Sequence, residues 1–292
     1  MTMNGIDISS WQAGIDVSKL TTTQFVIVKA TGGAGYTNPY FTGQLGATLA
    51  NGKRGGAYHY ARETGYKSTA KTEAAYFYAR VKDYIGQIVL ALDWEEELSL
   101  GPAWALEWLN EVYRLTGVKP LLYTSQSACV SYNWSAVAGA GYRLWLAQYA
   151  NNNQTGYQSA PWQKGSVGAF GTYVMHQYTG NGRITGYSGS LDLNLFYGST
   201  DDWAALAGVE EEEEMDVSKL TDEQCYQIVQ KAQSYAANIP APDWAMEELG
   251  QAMEDGITDG SSPAALATRA EAAIMAERAL NASFAEEIDI VL

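Results

Sequence analysis

Two carboxylic acids follow an apolar run in the middle of the chain. Residues 88–92 are typical of a buried strand, and Asp93 and Glu95 come at its end. Because side chains alternate along a strand, both carboxyl groups point to one face, with backbones roughly 6–7 Å apart. Such a pair suits glycoside hydrolysis, in which one acid protonates the leaving oxygen and the other stabilises or attacks the developing cation. The alternative is a solvated strand end, because Glu96 and Glu97 extend the acidic run.

The elements that must position these acids alternate between short apolar runs and helical patterns, which is typical of βα units. Helices are expected at 39–51, 68–84 and 102–116, and the Gly/Ser-rich stretch 180–189 is expected to be a loop. Eight strands indicate an α/β fold, a closed (β/α) barrel, whose short length predicts that the later crossovers lack full helices. The strands are expected near residues 5–8, 25–29, 56–60, 88–93, 120–123, 144–148, 173–177 and 191–196.

Further polar side chains fall at the predicted strand ends, where the active sites of such barrels lie. They are Asp7, Asp192, Gln148 and Gln177. Sugar rings offer apolar faces to aromatic side chains and hydroxyls to carboxylates and amides, so a cleft of this composition suits a glycan. For any single aromatic residue, core packing is the alternative. The aromatic residues at these ends are Trp11, Tyr58, Tyr60, Trp94, Tyr123, Trp145, Tyr149 and Tyr178.

Composition and charge argue against several functions. The 292 residues are 47% hydrophobic, enough for a large core and two domains. We expect no membrane span, no secretory signal and, with two histidines and no Cys/His cluster, no metal or other cofactor. Cys129 and Cys225 predict reduced thiols. Residues 1–209 carry 14 basic and 14 acidic side chains, whereas residues 210–292 carry 4 and 19, which argues against nucleic acid as a partner.

Short motifs occur in a fixed order through residues 3–198. They are GIDIS with WQ (5–12), FVIVKAT (25–31), GAYHY (56–60), LDWE (92–95), LYT (122–124), LWLAQY (144–149), HQY (176–178) and LDLN (191–194). Together they resemble glycoside hydrolase family 25, the lysozymes often found as bacteriophage endolysins. The resemblance implies a modified (β/α) barrel that cleaves the β-1,4 bond between N-acetylmuramic acid and N-acetylglucosamine in peptidoglycan.

The resemblance also implies roles for individual residues. Glu95 would be the general acid/base, with a pKa raised by the charge of Asp93. Asp93 would stay ionised, either as nucleophile or as orienter of the substrate's 2-acetamido group, and close acids favour retention. Asp7 and Asp192 would line the same cleft. Candidate substrate contacts are Tyr58, Tyr60, Tyr123, Trp145, Gln148, Gln177 and Trp11.

Two other functions remain open for the barrel. A chitinase or endo-N-acetylglucosaminidase also uses acid pairs in barrels, but the chitinase series Asp-x-x-Asp-x-Asp-x-Glu is absent around Asp93. A non-catalytic wall-binding barrel is the second alternative, and the presence of both Asp93 and Glu95 argues against it.

The composition predicts a barrel domain at 1–206, an acidic linker at 207–216 and a small all-α domain at 217–292, with helices at 219–237, 243–254 and 269–280. Residues 243–280 resemble one S-layer-homology-type repeat, through WA (244–245), GITDG (256–260) and TRAE (268–271). This resemblance implies binding of a secondary cell-wall polymer, with Trp244 and Arg269 as candidate contacts; a purely structural helical cap is the alternative.

The five glutamates at 210–214 directly precede Met215. Their purine-rich codons can resemble a ribosome-binding site, so a fragment starting at Met215 would join the full chain; an ordinary linker is the alternative. Because no secretory signal is expected, we predict accumulation in the host bacterial cytoplasm until a partner pore releases the protein to the cell wall.

Overall fold

Eight strands close a barrel in the computed structural model, and this confirms the predicted fold class. The strands are β1 (Met3–Ile8), β2 (Phe25–Gly32), β3 (Tyr36–Thr37), β4 (Arg54–Tyr60), β5 (Ile88–Asp93), β6 (Leu121–Ser125), β7 (Leu144–Ala147), β8 (Met175–Ile184) and β9 (Tyr187–Phe196). The order around the barrel is β1-β2-β4-β5-β6-β7-β8-β9, and β9 pairs with β1 to close it. The short β3 pairs with β2 outside this ring. Within the ring all neighbours are parallel except that β9 is antiparallel to both β8 and β1; outside the ring, β3 is antiparallel to β2.

The structure describes residues 1–96, 98–208, 220–264, 267 and 271–280. The chain divides into two compact units, Met1–Glu211 and Glu212–Leu292. The domain limits drawn from the sequence stay predictions, because residues 209–219 lie outside the described residues. Among the described residues, none of the helices is long and apolar enough to cross a membrane.

The three predicted barrel helices are present as α1 (Phe41–Ala50), α2 (Ala70–Val81) and α3 (Gly101–Thr116). Helix α3 ends at Gly117, whose φ of 72° is the left-handed conformation that favours glycine. The later crossovers are reduced, as predicted: α4 (Gln126–Ser131) and α5 (Ser135–Gly139) are short, and β7 reaches β8 without an α-helix. Helix α6 (Thr200–Ala207) follows the last strand.

The prediction of a loop at 180–189 is wrong, because β8 and β9 continue through it as a hairpin. Gly182 pairs with Leu191, and a Cβ at Gly182 would overlap the side chain of Leu193. The chain reverses at Gly186, which has a φ of 101°. Glycine is therefore required here by close approach and by the turn, and its frequency hides the strand pattern.

The barrel packs apolar side chains on both of its faces. The strand residues that point outward, together with the helices, form the larger core, in which Trp94 is fully buried and stacks on Trp104 at a centroid distance of 5.0 Å. The residues that point inward form a second core, closed by Trp203 of α6 against Phe25. Core packing is thus the correct interpretation for Trp94.

The C-terminal unit contains α7 (Asp222–Ala236) and α8 (Met246–Glu254), and residues 271–280 are helical. Helix α7 begins with a capping box, in which the side chains of Thr221 and Gln224 each bind the backbone N–H of the other. Helix α8 is preceded by a 3₁₀ turn at Asp243–Ala245. These elements agree with the predicted helical segments within the described residues.

Candidate active site

A cavity of about 380 Å³ opens at the end of the barrel to which β1, β4 and β5 point their carboxyl termini. Ten of the eleven barrel residues that the sequence proposes for the site line it. The lining residues are Asp7, Ser9, Trp11, Lys29, Tyr58, Tyr60, Glu63, Asp93, Glu95, Tyr123, Trp145, Tyr149, Gln177 and Asp192.

Asp93 and Glu95 both line this cavity, although the strand itself ends at Asp93. Between them Trp94 points into the outer core, as the alternation of a strand requires. Asp93 is buried, and its Oδ1 has no hydrogen-bond partner among the described residues. Glu95 is exposed at the mouth of the cavity. One acid therefore lies deep in the cavity and the other reaches solvent.

Asp7 is held in place by two side-chain amides. Its Oδ2 accepts hydrogen bonds from Gln177 Nε2 at 2.8 Å and from Asn194 Nδ2 at 2.7 Å. Gln177 in turn accepts a hydrogen bond from the Tyr123 hydroxyl at 2.8 Å. Asp192 lies directly opposite Asp7 in the antiparallel pairing of β1 and β9. The site thus contains a second pair of acids on the other side of the barrel from Asp93.

The pKa values of all four acids are raised. Burial is the largest cause for each of them and places the pKa of Asp7 and of Asp93 well above the usual range. Burial also raises the pKa of Asp192 to about 6. The pKa of Glu95 is raised by partial desolvation and then by the charges of Asp192 and Glu96.

This pattern differs from the expectation that the charge of Asp93 raises the pKa of Glu95. The more buried Asp93 has the more strongly raised pKa, and the charge of Glu95 contributes to that increase. The two acids titrate as a coupled pair, so the protons of the site belong to the pair and not to one residue. Because both pKa values are raised, the pair of Asp93 and Glu95 keeps a proton at higher pH than ordinary carboxylic acids do, as a proton donor requires.

Aromatic side chains form the walls of the cavity. Tyr123 packs edge-on against Trp145 at a centroid distance of 4.7 Å, and both are buried. The Trp145 Nε1 donates a hydrogen bond to Asn194 Oδ1 at 2.8 Å, so this ring is fixed. Trp11 is 89% exposed at the rim, although it lines the cavity. An exposed flat ring beside a polar cleft is suited to the face of a sugar.

Gln148 is the proposed substrate contact of the barrel that does not line the cavity, and the two contacts proposed for the C-terminal unit are not described as side chains. Gln148 is directed away from the cavity, because its side chain donates to the Lys164 carbonyl at 2.8 Å and accepts from the Lys164 N–H at 3.1 Å. Arg269 lies outside the described residues. For Trp244 only the backbone is described, in the turn before α8.

Sequence reasoning missed Lys29, Glu63 and Asn194 as residues of the site. Lys29 belongs to the motif at 25–31, but nothing in that motif indicates that its ammonium enters an acidic cavity. Glu63 pairs with Lys29 at 2.5 Å, and Asn194 holds Asp7. Tyr149, which the sequence places among the aromatic residues at the strand ends, follows β7, lines the cavity and donates a hydrogen bond to Gln177. No metal-binding group of three or more His, Cys, Asp or Glu residues occurs in the described part of the chain.

The fold and the four acids define a barrel hydrolase with a carboxylate-rich, aromatic-walled cleft. The Glycosyl hydrolases family 25 model matches residues 6–187, and the chain belongs to this family. The chain is therefore a glycoside hydrolase.

Three similar proteins bear related descriptions. The N,O-diacetylmuramidase of Chalaropsis sp is 35% identical over 157 residues, covering 47% of this chain and 71% of that protein. The bacterial lysozyme of Streptomyces coelicolor has a TM-score of 0.55 and 26% identity, covering 71% of this chain and 98% of that one. The catalytic domain of endolysin ply40 from bacteriophage P40 of Listeria monocytogenes has a TM-score of 0.55 and 26% identity, with the same coverage.

Proposed function

We propose that the chain is a lysozyme, an N-acetylmuramidase that cleaves the β-1,4 bond between N-acetylmuramic acid and N-acetylglucosamine in peptidoglycan. The observation that carries this proposal is the convergence of Asp93 and Glu95 on one open cavity that also holds Asp7 and Asp192. The muramidase and lysozyme descriptions of similar proteins support the choice of substrate.

Glu95 acts as the general acid in this proposal. Its exposed position at the mouth lets it reach the glycosidic oxygen of a bound glycan, and its raised pKa keeps it protonated at higher pH than an ordinary glutamic acid. After the leaving group departs, the same carboxylate takes a proton from the incoming water. Glu95 thus first donates a proton and later removes one.

Asp93 acts on the sugar from within the cavity. Its Oδ1, which has no partner among the described residues, is available either to attack the anomeric carbon or to accept a hydrogen bond from the substrate's acetamido N–H. Both routes pass through a covalent or cyclic intermediate on one face and give net retention. Trapping of a covalent intermediate with a 2-fluoro glycoside would support attack by Asp93. Inhibition by a thiazoline analogue of the cyclic intermediate would support attack by the acetamido group.

Asp7 and Asp192 bind the sugar at the cleavage site and tune the catalytic pair. The two residues lie opposite each other in the pairing of β1 and β9; the charges of both raise the pKa of Asp93, and the charge of Asp192 also raises the pKa of Glu95. Asp7 is fixed by Gln177 and Asn194 and is therefore suited to holding a sugar hydroxyl in a defined position.

Analysis of products from purified peptidoglycan tests the proposal. We expect new reducing ends identified as muramic acid, and loss of at least about 10³-fold of the activity in Glu95→Gln. Glu107→Gln is the matched control, because Glu107 is an exposed acid on α3 and does not line the cavity. Reducing ends of N-acetylglucosamine would indicate the endo-N-acetylglucosaminidase alternative. Parental activity in Glu95→Gln would refute the assignment of the acid.

We also propose that the C-terminal helical unit directs the enzyme to a secondary cell-wall polymer. Its net negative charge argues against simple attraction to anionic polymers, so recognition would use hydrogen bonds and stacking, with Trp244 and Arg269 as contacts. Binding of the full chain to isolated walls, compared with Trp244→Ala and Arg269→Ala, tests this role. Unchanged binding in both variants would leave a structural cap as the better explanation.

Self-association through the same unit is a related proposal. Large apolar side chains are exposed on its helices, including Tyr226 and Tyr235 of α7 and Met246 and Met253 of α8. A fragment translated from Met215 would add copies of this unit to the full chain. Intact mass spectrometry and light scattering of the expressed protein, with Met215→Leu as control, test this proposal. Detection of the full chain alone as a monomer would exclude it.

We propose, finally, that the chain is a phage endolysin that accumulates in the host cytoplasm until a pore releases it. The similarity to the catalytic domain of a phage endolysin supports this proposal. Expression inside a susceptible bacterium is expected to leave cells intact until a pore-forming protein is co-expressed. Lysis without the pore would contradict the proposal.

A further inference from the structure

Lys29 is the one cation among the described residues that line the acidic cavity. Its ammonium lies 2.5 Å from Glu63 Oε2, 4.4 Å from the ring centroid of Tyr60 and 5.0 Å from that of Tyr36. Within the described residues, Glu63 is the one carboxylate that it contacts. Lys29 is therefore held to one side of the cavity, by an acid that has no part in the proposed chemistry.

The position of Glu63 is itself fixed. A Cβ at Gly32 would overlap the Glu63 carboxylate, so the glycine at the end of β2 lets this side chain lie against the strand. The turn that carries Glu63 is anchored by Glu73, which accepts hydrogen bonds from the backbone N–H of Arg62 at 2.9 Å and of Ser68 at 2.8 Å. Glu63 is thus placed by the backbone of its turn and not only by its attraction to Lys29.

Asp93 needs a counter-charge, because the groups around it oppose its ionisation. The charged groups that face it are Asp7 from β1, Asp192 from β9, Glu95 and Lys29, and of these Lys29 alone lowers its pKa. The phenols of Tyr58, Tyr60 and Tyr123 face it from β4 and β6. Lys29 also lowers the pKa of Glu95. An ammonium in direct contact with Asp93 would, however, cover an oxygen that must act on the sugar.

We propose that Glu63 and the rings of Tyr36 and Tyr60 hold Lys29 in the cavity as a remote counter-charge to Asp93 and Glu95, so that the oxygens of the acid pair stay free for the sugar. Lys29 and Glu63 are positioning residues in this scheme. The proposal rests on the proposed function, because it deepens the account of the same catalytic pair.

The test begins with the pH dependence of kcat and kcat/KM on peptidoglycan. Lys29→Gln is expected to move both limbs of the profile to higher pH by at least about 0.5 pH unit, because the pair loses its counter-charge. Lys29→Arg keeps the charge and is expected to keep the limbs within about 0.2 pH unit of the parent. A rise in KM with unchanged limbs would instead make Lys29 a contact for an anionic group of the substrate and would overturn the proposal.

Glu63→Gln tests the second part, the restraint on Lys29. The released ammonium is expected to pair with the catalytic acids and lower kcat at the optimum about fivefold or more, and Lys29→Gln added to this variant is expected to restore most of that loss. Glu107→Gln is the matched control: it removes a negative charge that is exposed on α3 and does not line the cavity. Adding Lys29→Gln to the control variant is expected to give no increase in kcat. An unchanged kcat in Glu63→Gln, or no rescue in the double variant, would refute the restraint.

A titration without substrate separates this proposal from the proposed function. The carboxyl ¹³C signals of Asp93 and Glu95, followed by NMR in the parent and in Lys29→Gln, are expected to titrate at higher pH in the variant. This shift is measurable even if peptidoglycan yields no muramic acid ends. Equal titration curves in folded parent and variant would overturn the counter-charge role, whatever the enzyme cleaves.

Discussion

Replacing Asp192 by asparagine is expected to stabilise the barrel at neutral pH. Burial raises the pKa of Asp192 to about 6, compared with about 3.9 for an aspartic acid in an unfolded chain. A group whose pKa is raised by folding contributes stability that is fully present below about pH 4 and is lost as the pH rises through about 6. At pH 8 the ionised Asp192 therefore opposes folding, and asparagine removes this opposition while keeping the shape.

The difference between the folded and unfolded pKa values of Asp192 sets the size of the expected gain in the free energy of unfolding. A shift of about two pKa units corresponds to roughly 3 kcal/mol at 1.36 kcal/mol per unit. Partial access to solvent and coupling to Asp7 reduce the benefit, and we expect about 1–2 kcal/mol at pH 8. In a unit of about 200 residues, 1 kcal/mol raises Tm by about 2–4 °C. The expected increase in Tm is therefore about 2–8 °C at pH 8 and close to zero at pH 4.

Thermal unfolding followed by near-UV circular dichroism measures this difference, because the buried tryptophans of the barrel dominate the signal. Glu107→Gln is the control, since Glu107 is an exposed acid on α3 outside the cavity. The same Asp192→Asn protein is expected to lose about 10²-fold or more of its activity. An equal change in Tm at pH 4 and pH 8, or a lower Tm at pH 8, would refute the reasoning.

Three further substitutions have expected outcomes. Glu73→Ala leaves buried His59 and two backbone N–H groups without their acceptor and should cost about 3–5 kcal/mol, measured by urea unfolding; a cost under 1 kcal/mol would contradict this. Gly182→Ala drives a methyl group into Leu193 and should cost about 1–3 kcal/mol in the same assay. Trp11→Ala should raise KM about fivefold or more with Tm unchanged, because the ring is exposed; a lower Tm at constant KM would make Trp11 structural.

The parts of the site that follow from strand periodicity were predictable. Asp93 lies at a strand end and Glu95 two residues later, so alternation alone brings both to one side, while Trp94 goes to the other. Gln148 shows the limit of this reasoning. It also lies at a strand end, but its amide pairs with the backbone of Lys164, and position along a strand does not determine which partner a long side chain finds.

The missed residues act through contacts that are distant in sequence. Lys29 meets Glu63 across 34 residues, and Asn194 meets Asp7 across 187. A lysine in a strand and a glutamate in a turn carry no local sign of pairing, because the pairing depends on the barrel order that brings β2 beside β4. The hairpin at 180–189 was missed for a different reason, since glycines chosen for close packing look like loop residues in sequence.

The antiparallel closure of the barrel explains how four acids share one cavity. In a barrel of parallel strands, each strand contributes to the site from its carboxyl end. Because β9 runs in the opposite direction, it contributes from a position before its carboxyl end, where Asp192 lies opposite Asp7. Two residues later Asn194 pairs with Gln177 of β8, and both amides donate to Asp7. The reversed strand thus supplies Asp192, which adds negative charge to the cavity, and Asn194, whose amide holds Asp7. This arrangement of the four acids therefore depends on the departure from a regular (β/α) barrel.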